Sequence, residues 1–452
     1  MSDLFLTGPL RRLEAAALGA LPPGTLMARA ASEVAATTDR LARTLAPGRP
    51  MLALVGPGNN GGDALLAALL LRERGYACSV LALRPAGAAS GDAADVWRRA
   101  AASGLPIDGI GALPALLRSA PVVVDGLFGI GLDRPLDGDA GRLCAAVCAA
   151  ALPVVAVDVP SGLDADSGAI VGGPAAPAMR ATHTVTMIAD KPGLHTGAAL
   201  DRVGAVRVAA LGLEVERAAF ARDPGSGVGT LFDADCAASS LRPRERDTNK
   251  GSYGSVLAYG GDVGMRGAVL LAARGAQALG AGKVFVGTPI GESFDPGQPQ
   301  LMTASADPDF GSFEAVVIGC GLGRSAVARE RVAAALAHAR ALVLDADALN
   351  LVAAEPALAD ACAAPSTAAA HRVMTPHPLE AARLLGCDAA QVQADRRGAA
   401  LALAQRYRMV VLLKGAGTVV AAPGGAWTIV AAGGPALASA GTGDVLAGMI
   451  GA

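Results

Sequence analysis

From Met51 onward, short apolar runs rich in Val, Leu and Ala alternate with longer segments rich in Ala and Leu. MLALVG is followed by a helical pattern over 63–75, CSVLAL by one over 91–103, and PVVVDG by one over 139–151, before PVVAVD. An apolar run too short for a helix, then a helix, then another run is the rhythm of βαβ units in a parallel sheet. Ahead of it, residues 9–45 read as two helices separated by Pro22, Pro23 and Gly24, which either cap the sheet or pair two subunits. The rhythm breaks over Arg217–Leu231, where Asp223-Pro224-Gly225-Ser226-Gly227-Val228-Gly229 is the densest cluster of breakers in the chain. It then restarts with GSVLAYGG, a helix over 266–279, KVFVGTP, EAVVIGCGLG, ALVLDADALN, RVMTPHP and MVVLLKGAG. The reading is therefore two α/β domains, 1–220 and 233–452, joined by a linker at 221–232. No repeat with a period of 20 to 50 residues relates them.

Composition narrows the classes. A chain of 452 residues exceeds a single ordinary core, and its 58 glycines show no fixed period, so the excess belongs to turns and ligand-facing loops. The charges, 38 basic against 40 acidic, form no like-charged block and give no reason to expect nucleic acid or an anionic membrane. The mean hydropathy of +0.42 comes with many alanines, as buried parallel sheets under helices require. Neither a signal-peptide pattern nor an uninterrupted apolar stretch of about 18 residues is visible, so a cytoplasmic protein is expected. The seven cysteines (78, 144, 148, 236, 320, 362, 387) lack zinc-site spacing and read as reduced core residues. A small-molecule ligand and a homo-oligomeric assembly are the expected partners.

Candidate chemistry sits at the carboxyl ends of the apolar runs, where ligands bind open parallel sheets. Behind MLALVG comes Gly56-Pro57-Gly58-Asn59-Asn60-Gly61-Gly62-Asp63 at the head of a helix. Free amides there attract phosphate, and a bare glycine turn would not explain Asn59, Asn60 and Asp63 together. Two further runs end at Asp125 and at Asp158-Val159-Pro160-Ser161. Asn60, Asp125 and Ser161 together offer hard oxygens of low total charge, suited to a weakly bound monovalent cation better than to zinc. Alone, Asp125 also fits a cap or turn. Lys191 either orients a phosphate or is solvated.

GNNGGD, VVDxxxGxG and VDVPSGLDADSG, in that order and with Ala189-Asp190-Lys191-Pro192-Gly193-Leu194 behind them, resemble the NAD(P)H-hydrate epimerase family over roughly 5–215. That resemblance implies a Rossmann-like three-layer fold. It also implies a substrate site made of Asn59, Asn60, Gly61, Gly62, Asp63, Gly129, Ile130, Gly131, Leu132, Asp133, Arg134, Pro135 and Asp158, with K⁺ at Asn60, Asp125 and Ser161. The chemistry suits a carboxylate: inverting a hemiaminal-type carbon needs a group that gives and takes a proton, and Asp158 is the candidate. Ala64 stands where that family usually has Gly, a methyl that the start of a helix should tolerate.

In the second half, Gly441-Thr442-Gly443-Asp444 opens a helix, placing amides around a developing phosphoryl charge and a carboxylate beside the attacking hydroxyl. This resembles the ribokinase-like superfamily. The accompanying Asn249-Lys250-Gly251, Gly260-Gly261-Asp262, Gly319-Cys320-Gly321-Leu322-Gly323, Thr375-Pro376-His377-Pro378 and Leu413-Lys414-Gly415 are similar to its NAD(P)H-hydrate dehydratase branch. The similarity implies that Ala268, Gly321, Gly323, His377, Pro378, Leu379, Glu380, Ala381, Ala382, Arg383 and Asp444 line the hydrate site, with Asp444 as base. It further implies that Lys414, Gly415, Ala416, Gly417, Thr418, Gly434, Pro435, Ala436, Leu437, Ala438, Ser439, Ala440, Gly441, Thr442 and Gly443 hold ADP, with Mg²⁺ sharing the phosphoryl charge. His377, fixed between prolines, reads as a ligand contact rather than a core histidine, and no role is assigned to His183, His195, His338 or His371. Asn249 replaces the usual His, and Cys320 replaces a Pro, which should loosen the turn. Family members continue through further helices, so the eight residues following Asp444 suggest a shortened C-terminal half. The implied function is repair of hydrated NADH and NADPH (NADHX and NADPHX) by epimerisation and ADP-dependent dehydration. The rivals are a ribokinase-like kinase for a small alcohol and a nucleotide-sensing module with dead sites.

Overall fold

The computed structural model describes residues 2–85, 89–223, 225–240, 243–364 and 371–452. The chain divides into two compact units, Ser2–Leu231 and, apart from Met1, Phe232–Ala452. Strands are numbered in chain order: β1 Ser2–Leu4, β2 Met51–Val55, β3 Cys78–Ala82, β4 Ile107–Asp108, β5 Val122–Gly126, β6 Val154–Val157, β7 His183–Met187, β8 Ala205–Ala209 and β9 Gly229–Phe232. They continue with β10 Ser255–Tyr259, β11 Lys283–Gly287, β12 Met302–Thr303, β13 Ala315–Ile318, β14 Ala341–Leu344, β15 His371–Met374, β16 Val410–Leu413, β17 Val419–Ala421 and β18 Trp427–Val430.

In the first unit a parallel sheet runs β4-β3-β2-β5-β6-β7-β8. Strands β2 and β5 are buried along their whole length, which is why they read as continuous apolar runs rather than alternating ones. The helices expected over 9–45 are Thr7–Ala20 and Thr25–Leu45, and the latter buries Leu26, Met27, Ala30, Ala31, Val34 and Leu41 into the core with the strands. Chain order makes β2 central: the next strand packs on one side of it and β5 on the other. The loops after β2 and β5 therefore part, leaving a crevice at their carboxyl ends. The seven-stranded sheet does not hold every strand of the unit. β1 pairs antiparallel with β9, Ser2 opposite Leu231.

The second unit repeats the device with other residues. Its strands run β18-β17-β16-β15-β14-β13-β10-β11-β12, parallel from β16 through β12, with β10 between β11 and β13. Helix Thr442–Gly451 crosses helix Arg266–Leu279 at backbone distance, since a Cβ on Gly448 would fall 1.8 Å from the Ala272 carbonyl oxygen. Only glycine permits that approach.

Pro224, inside the expected linker, lies outside the described residues, but the segment's flanks are ordered as helix Glu214–Ala221 and strand β9. All seven cysteines are free, yet Cys387 is exposed and Cys148 half-buried, so the reading of every cysteine as core is corrected at these positions. Among the described residues no helix is long and apolar enough to cross a membrane.

Candidate functional sites

The crevice of the first unit is a cavity of about 680 Å³ lined by Asn59, Asn60, Asp63, Gly129, Ile130, Gly131, Leu132, Asp133, Arg134 and Asp158. All belong to the predicted substrate set. Pro135, Gly61 and Gly62 do not line it. The expected loop Asn59–Asp63 is instead the first turn of helix Asn59–Glu73, capped by Gly58. The glycines are steric requirements there, because a Cβ on Gly61 would lie 2.1 Å from the Gly56 carbonyl oxygen. Ala64 is fully buried, and its methyl sits 2.3 Å from where Gly126 would carry a Cβ, so Gly126 makes room for it.

Asp158 follows β6 with φ of 68°, a left-handed conformation unusual for a side-chain-bearing residue and concentrated at functional sites. Its Oδ1 accepts from the Met187 amide at 3.1 Å and pairs with Lys191 Nζ at 2.7 Å, while Oδ2 accepts from the Ile130 amide at 3.4 Å. Lys191 is not solvated, as one reading allowed: it is 1% exposed and also donates to Thr186 Oγ1, Met187 O and Ala189 O. An ammonium is stable there because four oxygens replace its water. Burial, reinforced by the charges of Asp158 and Glu14, pushes Asp63 well above the usual carboxylate range.

Asp125 and Ser161 meet directly. Ser161 Oγ donates to Asp125 Oδ1 at 2.7 Å, and its amide donates to Oδ2 at 2.9 Å. Burial raises Asp125 to about 6. Asn60 approaches the same loop, its Oδ1 3.0 Å and Asp158 Oδ2 3.1 Å from the position of a Cβ on Gly129. Asn60 Nδ2 is buried without an acceptor. Turning that amide over would put an oxygen in its place, which a cation would satisfy and a hydrogen bond does not.

In the second unit, Gly260-Gly261-Asp262 after β10 meets the turn after β13. The Gly261 amide donates to Cys320 O at 3.0 Å and the Asp262 amide to Gly321 O at 2.7 Å. The turn that carries Cys320 in place of Pro is thus tied to the loop after β10 by two backbone hydrogen bonds. Ala268 and Gly321 touch, and Gly323 abuts the Asp262 carboxylate. Asp444, in the first turn of helix Thr442–Gly451, has Cys320 and Asp345 beside it, their sulfur and oxygen atoms all within 4.8 Å of one another. Burial raises Asp444 despite the hydrogen bond it shares with the Cys320 thiol. Lys414 Nζ pairs with Asp345 Oδ1 at 2.7 Å and lies 3.5 Å from the Cβ position of Gly443, so the cation stands over the Gly-Thr-Gly-Asp turn. Residues 434–440 are exposed beside it.

His377 caps helix Pro378–Leu385: its Nδ1 accepts from the Leu379 and Glu380 amides at 3.1 and 3.4 Å, and Glu380 returns the bond to the His377 amide at 2.8 Å. Burial raises Glu380 to about 7. Asn249 likewise caps a short turn, accepting from the Gly251 amide at 2.8 Å.

Four participants escaped the sequence. Glu14, on helix Thr7–Ala20, lines the first cavity. Cys320 was read as a core residue and as a replacement in its turn, not as a neighbour of Asp444. Arg396, 1% exposed, donates to the carbonyls of Leu413 and Lys414 at 3.2 and 3.1 Å and so fixes the Lys414 loop from beneath. His195 is partnered by Asp190 at 2.8 Å.

Two family models match: NAD(P)H-hydrate dehydratase over 256–452 and YjeF-related protein N-terminus over 23–193. The bifunctional NAD(P)H-hydrate repair enzyme Nnr of Coxiella burnetii is 38% identical over 409 residues, covering 88% of this chain and 79% of the relative. The Escherichia coli enzyme of that name is 36% identical over 89% of this chain and 76% of its own. That of Mycobacterium tuberculosis is 36% identical over 100% and 89%. A solved ADP/ATP-dependent NAD(P)H-hydrate dehydratase of Bacillus subtilis, co-crystallised with ATP and Mg²⁺, aligns at 31% identity with a TM-score of 0.43, over 49% of this chain and 80% of that one.

Proposed function

This chain belongs to the bifunctional NAD(P)H-hydrate repair enzymes, and we propose that its work divides at the boundary between its two units. The first interconverts the R and S hydrates of NADH and NADPH. The second consumes ADP to return the S hydrate to the reduced dinucleotide, releasing AMP and phosphate.

In the first unit Asp158 is the acid/base. The Lys191 ion pair and the Met187 amide fix its Oδ1, which leaves Oδ2, near Gly129, turned toward the cavity. The open first turn Asn59–Asp63 presents amides to the substrate's phosphates. Asn60, Asp125 and Ser161 fit a K⁺ ion, because the Asn60 amide nitrogen is unpartnered and the donor set holds one carboxylate. Such an ion would hold the helix start against the loop after β5.

In the second unit Asp444 takes the proton of the hydrate's ring hydroxyl as that oxygen attacks the terminal phosphoryl group. The amides at Gly441–Gly443 and the Lys414 ammonium face the charge that develops. Mg²⁺, when bound, would neutralise nucleotide phosphate charge, with the Asp345 and Asp444 carboxylates as the nearest ligands. Phosphate then leaves where hydroxide would leave poorly, and the ring double bond returns.

The observation that carries the reading is Asp444 in the first turn of a Gly-capped helix, with Lys414 over that turn, in a chain that also keeps the Asp158 cavity. The test is to incubate the protein with mixed NADPH hydrates and ADP and follow reduced-nicotinamide absorbance. Recovery of both epimers is expected. Recovery of neither, with phosphorylated alcohol as product, would favour the kinase reading.

A further inference from the structure

We infer that Glu14 is a second catalytic residue of the epimerase site, a carboxylic acid working from one face of the substrate's hydroxyl-bearing carbon while Asp158 works from the other. The inference rests on the epimerase reading of this cavity.

Leu10, Glu14 and Leu18, four apart on helix Thr7–Ala20, form one row facing the cavity. The helix is pinned in place. Thr7 donates through its amide and hydroxyl to Asp166 at 2.8 and 2.9 Å, the Phe5 amide to Asp190 O at 2.8 Å, and Arg11 to Ile130 O at 3.4 Å. Glu14 is thus held on a wall made by a helix, whereas Asp158 rises from the end of β6. Arg11, Asp63, Asp158 and Lys191 are the charged groups facing it, with Asp92, Asp133 and Arg134 further round the cavity. Burial is the largest influence on Glu14, and the Asp158 charge adds to it. Together they push the Glu14 carboxyl above the ordinary carboxylate range, against the smaller pull of Lys191 and Arg11. Asp158 has the opposite surroundings, with an ammonium at 2.7 Å. One carboxyl is thus paired with an ammonium and the other is withdrawn from water without one, an arrangement in which two carboxyls can take different roles.

Inversion supplies the chemical reason for two groups. The ring nitrogen's lone pair expels the hydroxyl as the Glu14 proton reaches it, so the carbon–oxygen bond breaks, water departs and a carbon–nitrogen iminium forms. A solvent water then adds to the opposite face and gives its proton to Asp158. One C–O bond is lost and one made, with no change of oxidation state. The proton has moved from Glu14 to Asp158, the state that processes the other epimer, and exchange with solvent restores the first. A single fixed carboxyl serves one face only.

The full chain is tested without nucleotide, following epimer interconversion by NMR, with the thermal transition of the first unit as the folding control. Glu14→Gln should lower kcat about 10²-fold with KM within about threefold, and Glu14→Asp should recover part of the loss. The wild-type rate should fall as pH rises through the Glu14 ionisation, a limb absent from the Gln variant. Solvent ¹⁸O should enter the carbinol with each inversion. Wild-type kcat in Glu14→Gln, with Asp158→Asn inactive, overturns the role of Glu14 and leaves the proposed function standing. A wild type that does not epimerise overturns that function itself.

Discussion

The two sites stand at equivalent places and are built for different tasks. Each occupies the crevice where the central strand of a parallel sheet has neighbours running to both sides, β2 in one unit and β10 in the other. Around the first crevice the key groups are carboxyls in contrasting surroundings: Asp158 on Lys191, Glu14 and Asp63 raised by burial. Around the second they are a glycine-capped helix start, a lysine and one half-buried carboxylate. Moving a proton requires groups of different basicity. Moving a phosphoryl group requires fixed positive potential where charge accumulates, which backbone amides supply without reorganising. One topological position thus serves two chemistries, and the side chains at the loop ends choose between them.

That division predicts effects confined to one unit. Asp444→Asn should lower dehydration about 10³-fold while epimerisation, read by NMR, stays at the wild-type rate, since a positioned base contributes about 10²- to 10⁴-fold. Asp158→Asn should do the converse, lowering epimerisation about 10²-fold. With mixed hydrates and ADP, that variant should stop after the S epimer is consumed and advance only by spontaneous inversion; rapid completion would remove Asp158 as acid/base. Lys191→Met leaves a buried carboxylate unpaired and should cost about 3 kcal/mol of stability in the first unit alone, measurable as a shift of one thermal transition. If both transitions move equally, the two units are not independent in this sense. Replacing K⁺ by tetramethylammonium should slow epimerisation several-fold in the wild type, with no effect in Asp125→Asn and none on dehydration.

The smallest effect concerns pH. Glu380 is raised to about 7 in the folded protein, above its ordinary value of 4.5, so the native state holds this proton more tightly than the unfolded chain. Its contribution is fully present below about 4.5 and is lost as pH rises through about 7. Between those values the second unit should lose stability in the wild type more steeply than in Glu380→Gln, and parallel denaturation curves for the two would rule this out.

The alternation of apolar runs and helices fixed the class of both units in advance, because a strand buried on two faces must be apolar throughout and a covering helix must show its own period. The strand-terminal residues Asp125 and Asp158 were legible for the same reason: a parallel sheet gathers the carboxyl ends of its strands on one edge. Glycine pairs such as Gly61-Gly62 and the Gly441–Gly443 turn were legible because close backbone approach excludes a Cβ. Tertiary structure alone decided the rest. Glu14 joins Asp158 across more than a hundred residues only because Thr7 and Phe5 pin its helix to Asp166 and Asp190. Lys191 becomes a buried partner rather than a solvated charge because four oxygens converge on it. Cys320 meets Asp444 through packing of elements more than a hundred residues apart, and Arg396 reaches the Lys414 loop from the helix that precedes β16. Local patterns follow from forces between near neighbours along the backbone. The protonation and pairing of a buried group depend on which distant groups displace its water, and no local pattern encodes that.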